Sequence, residues 1–207
     1  MNVLKWIKDN PIIAIVRLDD LSLSLELAKA LCDGGVNTIE FTLTNPEATK
    51  AIVKVRHALG DSVCVGAGSV ITPQQVTEVV NAGAQFVVSP VIKRDVIETC
   101  HSHNIPTIPG AYTPSEIQSA WEMGVAAVKV FPARNLGASY IKDVLAPLPH
   151  LRLIPTGGIN VHNIASFKKA GVYAVGVGGA LCDKRVIVHR DWQKISQSAE
   201  ALVKAFS

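Results

Sequence analysis

The chain has 207 residues, of which 48% are hydrophobic and 18% charged, and its formal net charge is +3 at pH 7. This length is enough for one sizeable hydrophobic core and short for two full domains. The lysines and arginines are dispersed, and no apolar run approaches the ~20 residues of a membrane span. The composition therefore argues against a nucleic-acid-binding protein and against a membrane protein, and the mild positive charge favours small anionic substrates.

Cysteine usage and the N-terminal segment indicate the compartment. The first ten residues lack the apolar core of a signal peptide. The four cysteines are scattered and include no C-x-x-C pair, as expected for buried thiols in a reducing environment; they are Cys32, Cys64, Cys100 and Cys182. We therefore expect a cytoplasmic protein.

In chain order, a short amphipathic segment over Met1 to Asn10 precedes a repeated alternation of strand-like and helix-like segments. Short apolar segments typical of buried strands begin near Ile12, Thr38, Val63, Phe86, Pro106, Ala126, Arg152 and Ala174. Segments with helical periodicity lie between and after them, at Leu21–Cys32, Glu47–Leu59, Pro73–Asn81, Arg94–His103, Pro114–Met123, Ser139–Leu145, Val161–Lys169 and Asp191–Phe206.

This alternation predicts an α/β fold, and specifically a single (β/α)8 TIM barrel covering residues 1–207 with a short N-terminal helix. The chain lies at the low end of the ~200 to 400 residues typical of that fold. A doubly wound open sheet is the alternative, because alternation by itself does not close a barrel. The sequence contains no linker, low-complexity segment or second domain.

Three charged residues stand inside or at the end of strand-like segments. Lys129 lies in the apolar run Ala126–Pro132, Glu40 lies in Thr38–Leu43, and Arg17 ends the first strand. Because alternate residues of a barrel strand point inward, the apolar neighbours of Lys129 and Glu40 face the helices and the two charged side chains face the interior. A lysine, a glutamate and an arginine from different strands are thus predicted to meet inside one barrel.

Two interpretations of this cluster are open. It is either a buried ion pair that neutralises itself, which stabilises a core poorly, or a catalytic site. In a catalytic site, the neutral amine of Lys129 attacks a ketone and forms an iminium, which weakens the adjacent carbon–carbon bond. The Glu40 carboxylate transfers the protons, and Arg17 binds the carboxylate of a keto acid or simply caps the mouth of the barrel.

Two glycine-rich segments follow the last two predicted strands, Gly157-Gly158 and Gly178-Gly179. Loops in these positions commonly bind phosphate through backbone N–H groups. A third segment, Gly66-Ala67-Gly68-Ser69, indicates either close approach of a ligand or a turn. The six histidines form no cluster suited to a metal, so we predict no metal site.

With these residues assembled, the chain resembles the bacterial aldolases for 2-keto-3-deoxy-6-phosphogluconate (KDPG) and 4-hydroxy-2-oxoglutarate (KHG), the Schiff-base type. The resemblance runs over nearly the whole chain. Its most specific motifs are Ile39-Glu40-Phe41-Thr42-Leu43-Thr44, Val65-Gly66-Ala67-Gly68-Ser69-Val70, Val88-Ser89-Pro90, Ile108-Pro109-Gly110, Val128-Lys129-Val130-Phe131-Pro132-Ala133 and Pro155-Thr156-Gly157-Gly158-Ile159.

The resemblance implies a role for each matching position. Lys129 is the Schiff-base lysine and Glu40 the acid–base residue. The pocket for the pyruvyl group and its carboxylate comprises Arg17, Ser69, Thr42, Phe131 and Pro90, with Ser69 in place of the usual threonine. The phosphate end comprises Gly157, Gly158, Gly178 and Gly179. The family further implies a homotrimer that needs no metal or organic cofactor, because the substrate binds covalently to the lysine.

Two departures from the family pattern bear on the substrate. Thr44 stands where some members carry an arginine for the carboxylate, so Arg17 serves alone, and Gly179 stands where relatives often carry a phosphate-binding serine. The expected reaction is reversible cleavage of KDPG to pyruvate and glyceraldehyde 3-phosphate. Cleavage of the galactonate epimer or of KHG is the enzymatic alternative, and a non-catalytic ligand-binding barrel is the alternative of another class.

Overall fold

Strands and helices alternate along the whole chain in the computed structural model, which describes residues 1–207. The strands are β1 (Ile12–Val16), β2 (Thr38–Thr42), β3 (Cys64–Gly68), β4 (Val87–Val88), β5 (Thr107–Ile108), β6 (Gly110–Ala111), β7 (Val128–Val130), β8 (Leu153–Pro155) and β9 (Val175–Val177). The helices are α1 (Val3–Asp9), α2 (Ser24–Asp33), α3 (Ala48–Leu59), α4 (Pro73–Asn81), α5 (Arg94–Ser102), α6 (Pro114–Glu122), α7 (Gly137–Leu145), α8 (Ile164–Lys169), α9 (Lys184–Val188) and α10 (Trp192–Phe206). The predicted α/β alternation and the short N-terminal helix are confirmed.

The strands form two parallel sheets. Six strands make a curled sheet in the order β5-β4-β3-β2-β1-β9, and three make a second sheet in the order β6-β7-β8. The division falls at Pro109, which separates β5 from β6 along the chain and has no backbone N–H to donate to a ladder. Backbone contacts link the sheets on both sides, from Lys129 N to Pro109 O at 2.9 Å and through a parallel bridge between Thr156 and Gly176.

The side chains of the strands separate into two apolar clusters, as the alternation predicts. The larger cluster has 49 buried residues, among them Ile39 and Val128, and lies between the strands and the helices. The smaller cluster lies on the opposite face of the strands and consists of Ile7, Ile13, Cys64, Phe86, Val88, Ile108, Ala127, Ile154 and Ala174. This inner face also carries the charged residues of the site described below.

Helix α1 covers the N-terminal ends of the strands. Its Ile7 is 0% exposed and belongs to the inner cluster. The Trp6 indole N–H donates a hydrogen bond to Thr38 Oγ1 at 3.2 Å, and the Tyr173 hydroxyl donates one to the Leu4 carbonyl. Because α1 closes this end of the inner core, the ends available to a ligand are the carboxyl ends of the strands.

Helices α4 and α6 begin where local signals place them. Each starts with a capping box and a proline in its first turn, formed by Thr72 with Gln75 and by Thr113 with Glu116. Hydrogen bonds from the Thr113 and Tyr112 N–H groups lower the pKa of the Glu116 carboxyl.

Helices α2 and α8 begin later than the periodicity predicts, at Ser24 and Ile164. In both cases a side chain ahead of the helix accepts a hydrogen bond from a backbone N–H group two residues later. The Asp20 carboxylate accepts a hydrogen bond from Ser22 N, and the Asn160 side chain accepts one in the same way ahead of α8. Such turns compete with helical hydrogen bonding and delay the start of the helix.

None of the helices combines the length and the hydropathy that crossing a bilayer requires.

Candidate functional site

Lys129 and Glu40 project into one small internal cavity. The lysine is 4% exposed and the glutamate 2% exposed. The cavity has a volume of about 10 Å³, close to that of one water-sized group. It is lined by Ile13, Glu40, Val88, Ile108, Lys129, Ile154, Thr156 and Gly176. The inward orientation of Lys129 and Glu40 follows from strand alternation, and the structure brings the two side chains to the same space.

The two charged groups are not joined to each other. No ion pair within 4.0 Å and no hydrogen bond involves Lys129 Nζ, which lies 5.1 Å from the centre of the Phe131 ring. Glu40 Oε1 is fully enclosed and has no hydrogen-bond partner. Buried polar groups are normally paired, and an unpaired one calls for an explanation, of which a functional role is one. The structure therefore does not contain the buried, self-neutralising ion pair that the first of the two interpretations predicts.

The segment Gly66-Ala67-Gly68 belongs to β3 itself and is not a turn. Its two glycines face inward and leave space for side chains of this protein. A Cβ atom at Gly66 would lie 2.4 Å from the Phe86 ring, and one at Gly68 would lie 1.8 Å from Glu40 Oε1. The turn expected as one alternative for these glycines is therefore wrong, and approach of a ligand to this segment stays a prediction.

A second cavity of about 920 Å³ lies at the carboxyl ends of β1, β7, β8 and β9. Thr156 lines both cavities and connects the Lys129 region to this larger space. The predicted site residues that line the larger cavity are Arg17, Phe131, Gly157, Gly158, Gly178 and Gly179. The structure thus brings the first-strand arginine and both glycine loops together at one end of the fold.

The glycine loops present backbone N–H groups to this cavity. The N–H groups of Gly158, Gly178 and Gly179 donate no hydrogen bond within the protein. Gly157 and Gly158 have φ values of +104° and +78°, in the left-handed region that L side chains rarely adopt. Successive unpaired N–H groups in such a turn form a concave site for an anion.

Four basic side chains line the same cavity: Arg17, Arg134, Lys184 and Arg185. Lys184 and Arg185 already form ion pairs with aspartates at 2.6 and 3.3 Å. Arg17 and Arg134 form no ion pair and no hydrogen bond, although both are exposed at the cavity. Arg134 is absent from the sequence-based prediction. Its position directly after the Val128–Ala133 motif, at the end of a strand, is the signal that points to it.

Three predicted pocket residues line neither cavity: Thr42, Ser69 and Pro90. Thr42 is 1% exposed and its hydroxyl lies 3.3 Å from the Val16 carbonyl. Ser69 directly follows β3 and has φ +60°, a conformation that is costly for a residue with a side chain. All three stand at or just beyond the carboxyl ends of β2, β3 and β4.

A family model described as "KDPG and KHG aldolase" matches residues 3–198. The chain is 39% identical over 158 residues to the 2-dehydro-3-deoxy-phosphogluconate aldolase of Treponema pallidum, covering 76% of this chain and 73% of that protein. It is 32% identical over 204 residues to the 2-dehydro-3-deoxy-6-phosphogalactonate aldolase of Escherichia coli K12, covering 98% of each chain.

Among solved structures, the fold is similar to a KDPG aldolase from Legionella pneumophila, with a TM-score of 0.88, 32% identity and 98% of each chain covered. That enzyme holds pyruvate captured at low pH as a covalent carbinolamine intermediate. These matches confirm the resemblance that the motifs indicate.

Proposed function

Because the chain belongs to the KDPG and KHG aldolase family, whose members are class I aldolases, we propose that it reversibly cleaves KDPG to pyruvate and glyceraldehyde 3-phosphate. The observation that carries this proposal is the burial of Lys129 and Glu40, unpaired, around one cavity that adjoins a larger ligand-sized one. Substrate binds covalently to the lysine, so the chemistry requires no metal or organic cofactor.

Lys129 forms the Schiff base in the proposed mechanism. Its amine adds to the C2 carbonyl of the substrate, and loss of water leaves an iminium. Glu40 takes the proton of the C4 hydroxyl while the electrons of the C3–C4 bond move to the iminium nitrogen. Glyceraldehyde 3-phosphate leaves, the enamine takes a proton at C3, and hydrolysis releases pyruvate and the free amine.

Arg17 holds the carboxylate of the keto acid in this proposal, since an unpaired guanidinium at the cavity is suited to bidentate recognition. The walls of the pyruvyl pocket are Phe131, Thr42, Ser69 and Pro90. The positions of the last three at neighbouring strand ends support that assignment.

The phosphate of the substrate binds, we propose, to the two glycine loops and to Arg134. The unpaired N–H groups of Gly158, Gly178 and Gly179 supply uncharged donors. Arg134 supplies an unpaired cation that lines the same cavity, and the stem of its side chain lies beside Gly158, with Cβ and Cγ 3.1 Å from where a Cβ at Gly158 would be. This cation offsets the missing serine at Gly179 and favours a phosphorylated substrate over KHG. The match to a galactonate aldolase keeps the C4 epimer as the second candidate.

Replacing Arg134 with alanine is expected to lower kcat/KM for KDPG about 10- to 100-fold, the effect of losing one hydrogen bond to a charged group. Cleavage of KHG, which has no phosphate, should change little. Steady-state kinetics on both substrates measures this. Lys184→Ala is the matched control, because Lys184 lines the same cavity but is paired with Asp19. Equal losses on both substrates would refute the phosphate role of Arg134.

We further propose that the two sheets close into one (β/α)8 barrel that forms a single domain over residues 1–207. Backbone contacts at both seams support closure, between Lys129 and Pro109 and between Thr156 and Gly176. The inner apolar cluster also draws residues from both sheets.

A homotrimer is proposed on the family resemblance. It is supported by exposed apolar side chains on loops that follow neighbouring strands, Ile71 at 43%, Val91 at 48% and Tyr112 at 40% exposure. Subunit contacts would remove these side chains from water.

A cytoplasmic location is proposed because all four cysteines are free, as expected of a protein in a reducing compartment.

Trapping the Schiff base tests the proposed function. The protein is incubated with pyruvate, reduced with sodium borohydride and analysed by peptide mass mapping. We expect one adduct, on the peptide that contains Lys129, in which the imine has become a secondary amine. Reduction without pyruvate is the control. A protein that gains no adduct, or gains it on another lysine, is not a Schiff-base aldolase of the proposed kind, and the non-catalytic ligand-binding barrel becomes the better interpretation.

A further inference from the structure

We propose that Gly68 is a positioning residue that directs the Glu40 carboxylate toward the reaction centre. This inference rests on the proposed function, in which Glu40 transfers protons. It concerns a residue that has no polar side chain and does not itself contact the substrate. The role of Gly68 is to leave a space that the Glu40 carboxylate occupies.

The register of β2 and β3 defines the direction in which Glu40 points. Glu40 pairs with Gly66, and Thr42 pairs with Gly68. The carboxylate of Glu40, however, is the nearest group to a Cβ at Gly68, whereas the nearest group to a Cβ at its own partner, Gly66, is the Phe86 ring. The side chain therefore leans along the strand toward the carboxyl ends, as long side chains on strands do. This is the end at which the larger cavity lies.

Glu40 provides the closest contacts at Gly68. A Cβ at position 68 would lie 1.8 Å from Oε1, 2.5 Å from Cδ and 2.7 Å from Cγ of Glu40, and these are its three nearest atoms. Real Cβ atoms essentially never approach within 3.0 Å of such neighbours. The backbone at Gly68 does not have a positive φ, so an L residue is excluded by the glutamate and not by strain.

Steric contact, and not a hydrogen bond, holds the Oε1 atom of Glu40 in place. Glu40 Oε1 has no hydrogen-bond partner, so no donor would restore its position once a methyl group displaced it. The inner face of β3 offers the necessary space because neither Gly66 nor Gly68 has a side chain there. At Gly66 the space is filled by the Phe86 ring instead, which makes Gly66 a structural counterpart on the same strand.

A double-mutant cycle between Gly68→Ala and Glu40→Ala tests the proposal. The readouts are kcat for cleavage, the rate at which pyruvate exchanges its C3 protons in D2O, and Tm. We expect Gly68→Ala to lower the C3 exchange rate at least ~100-fold, in line with loss of one general acid–base, and to lower Tm. Borohydride trapping of pyruvate on Lys129 should persist, because the amine is untouched.

In the Glu40→Ala background the clash is absent, so adding Gly68→Ala should change the exchange rate and Tm very little. Gly66→Ala is the control: its clash is with Phe86, so its effect on Tm should be the same with and without Glu40. If Gly68→Ala is as active as the native protein, or if its effect on Tm and exchange is equally large without the Glu40 side chain, Gly68 does not position Glu40.

Failure of the proposed function has a different signature. If Glu40→Ala by itself exchanges C3 protons and cleaves substrate at the native rate, then the acid–base role of Glu40 is wrong. In that event the Tm cycle alone decides the steric contact, because it measures the coupling between positions 40 and 68 without reference to chemistry. If the effects of the two substitutions on Tm are additive, Gly68 does not position Glu40, whatever the kinetic result.

Discussion

Replacing Lys129 with alanine is expected to lower kcat for KDPG cleavage on the order of 10⁵-fold, because the covalent route disappears with its nucleophile. The remaining groups bind the keto acid but offer no iminium to accept the electrons of the C3–C4 bond. Release of pyruvate, followed in an NADH-coupled assay, measures the loss. Borohydride trapping with pyruvate should fail in the same variant.

The fold should survive this change, because Lys129 forms no ion pair or hydrogen bond whose partner would be stranded. Lys129→Met is the matched control, since methionine fills a similar volume without an amine. We expect it to be as inactive as the alanine variant and to unfold near the native Tm. Native turnover in Lys129→Met would refute the Schiff-base assignment.

Replacing Glu40 with glutamine is expected to lower kcat about 10²- to 10⁴-fold, the contribution of a positioned general acid–base. Glutamine keeps the length of the side chain and so keeps its contact with Gly68, but it no longer takes up the C4 hydroxyl proton. Cleavage kinetics and C3 proton exchange of pyruvate both measure the effect. Borohydride trapping should still yield an adduct on Lys129, which separates loss of proton transfer from loss of the nucleophile.

The same substitution should leave stability unchanged or increase it. Glu40 Oε1 is enclosed without a hydrogen-bond donor, so replacing the carboxyl group with an amide removes no hydrogen bond to this atom. Thermal unfolding of Glu40→Gln against the native protein measures this. An unchanged turnover would show that another group transfers the protons, and a large drop in Tm would show that the carboxylate has a structural partner.

These expectations share a physical origin. A lysine and a glutamate that are both buried and both unpaired destabilise a core relative to apolar residues of the same volume. The burial of the surrounding apolar clusters offsets this loss of stability. Replacing either residue is therefore expected to lower activity without lowering stability, whereas a mutation in an ordinary core position lowers both.

The sequence by itself determined the alternation of strands and helices, because the period of apolar residues records which faces are buried. It also determined that Lys129 and Glu40 point inward, since successive side chains of a strand lie on opposite faces. The capping boxes of α4 and α6 were likewise local signals. Helix α9 was not predicted, because its five residues are too few to show a helical period.

Only the tertiary structure decided which residues of different strands meet, because distances between strands depend on register and packing and not on local sequence. It placed Arg134 beside the glycine loops. It left Thr42, Ser69 and Pro90 outside both cavities, left Lys129 without an ion pair, and made Gly68 the neighbour of the Glu40 carboxylate. A glycine makes no contact that a sequence pattern can record; its role appears only when the side chain that fills its space is seen.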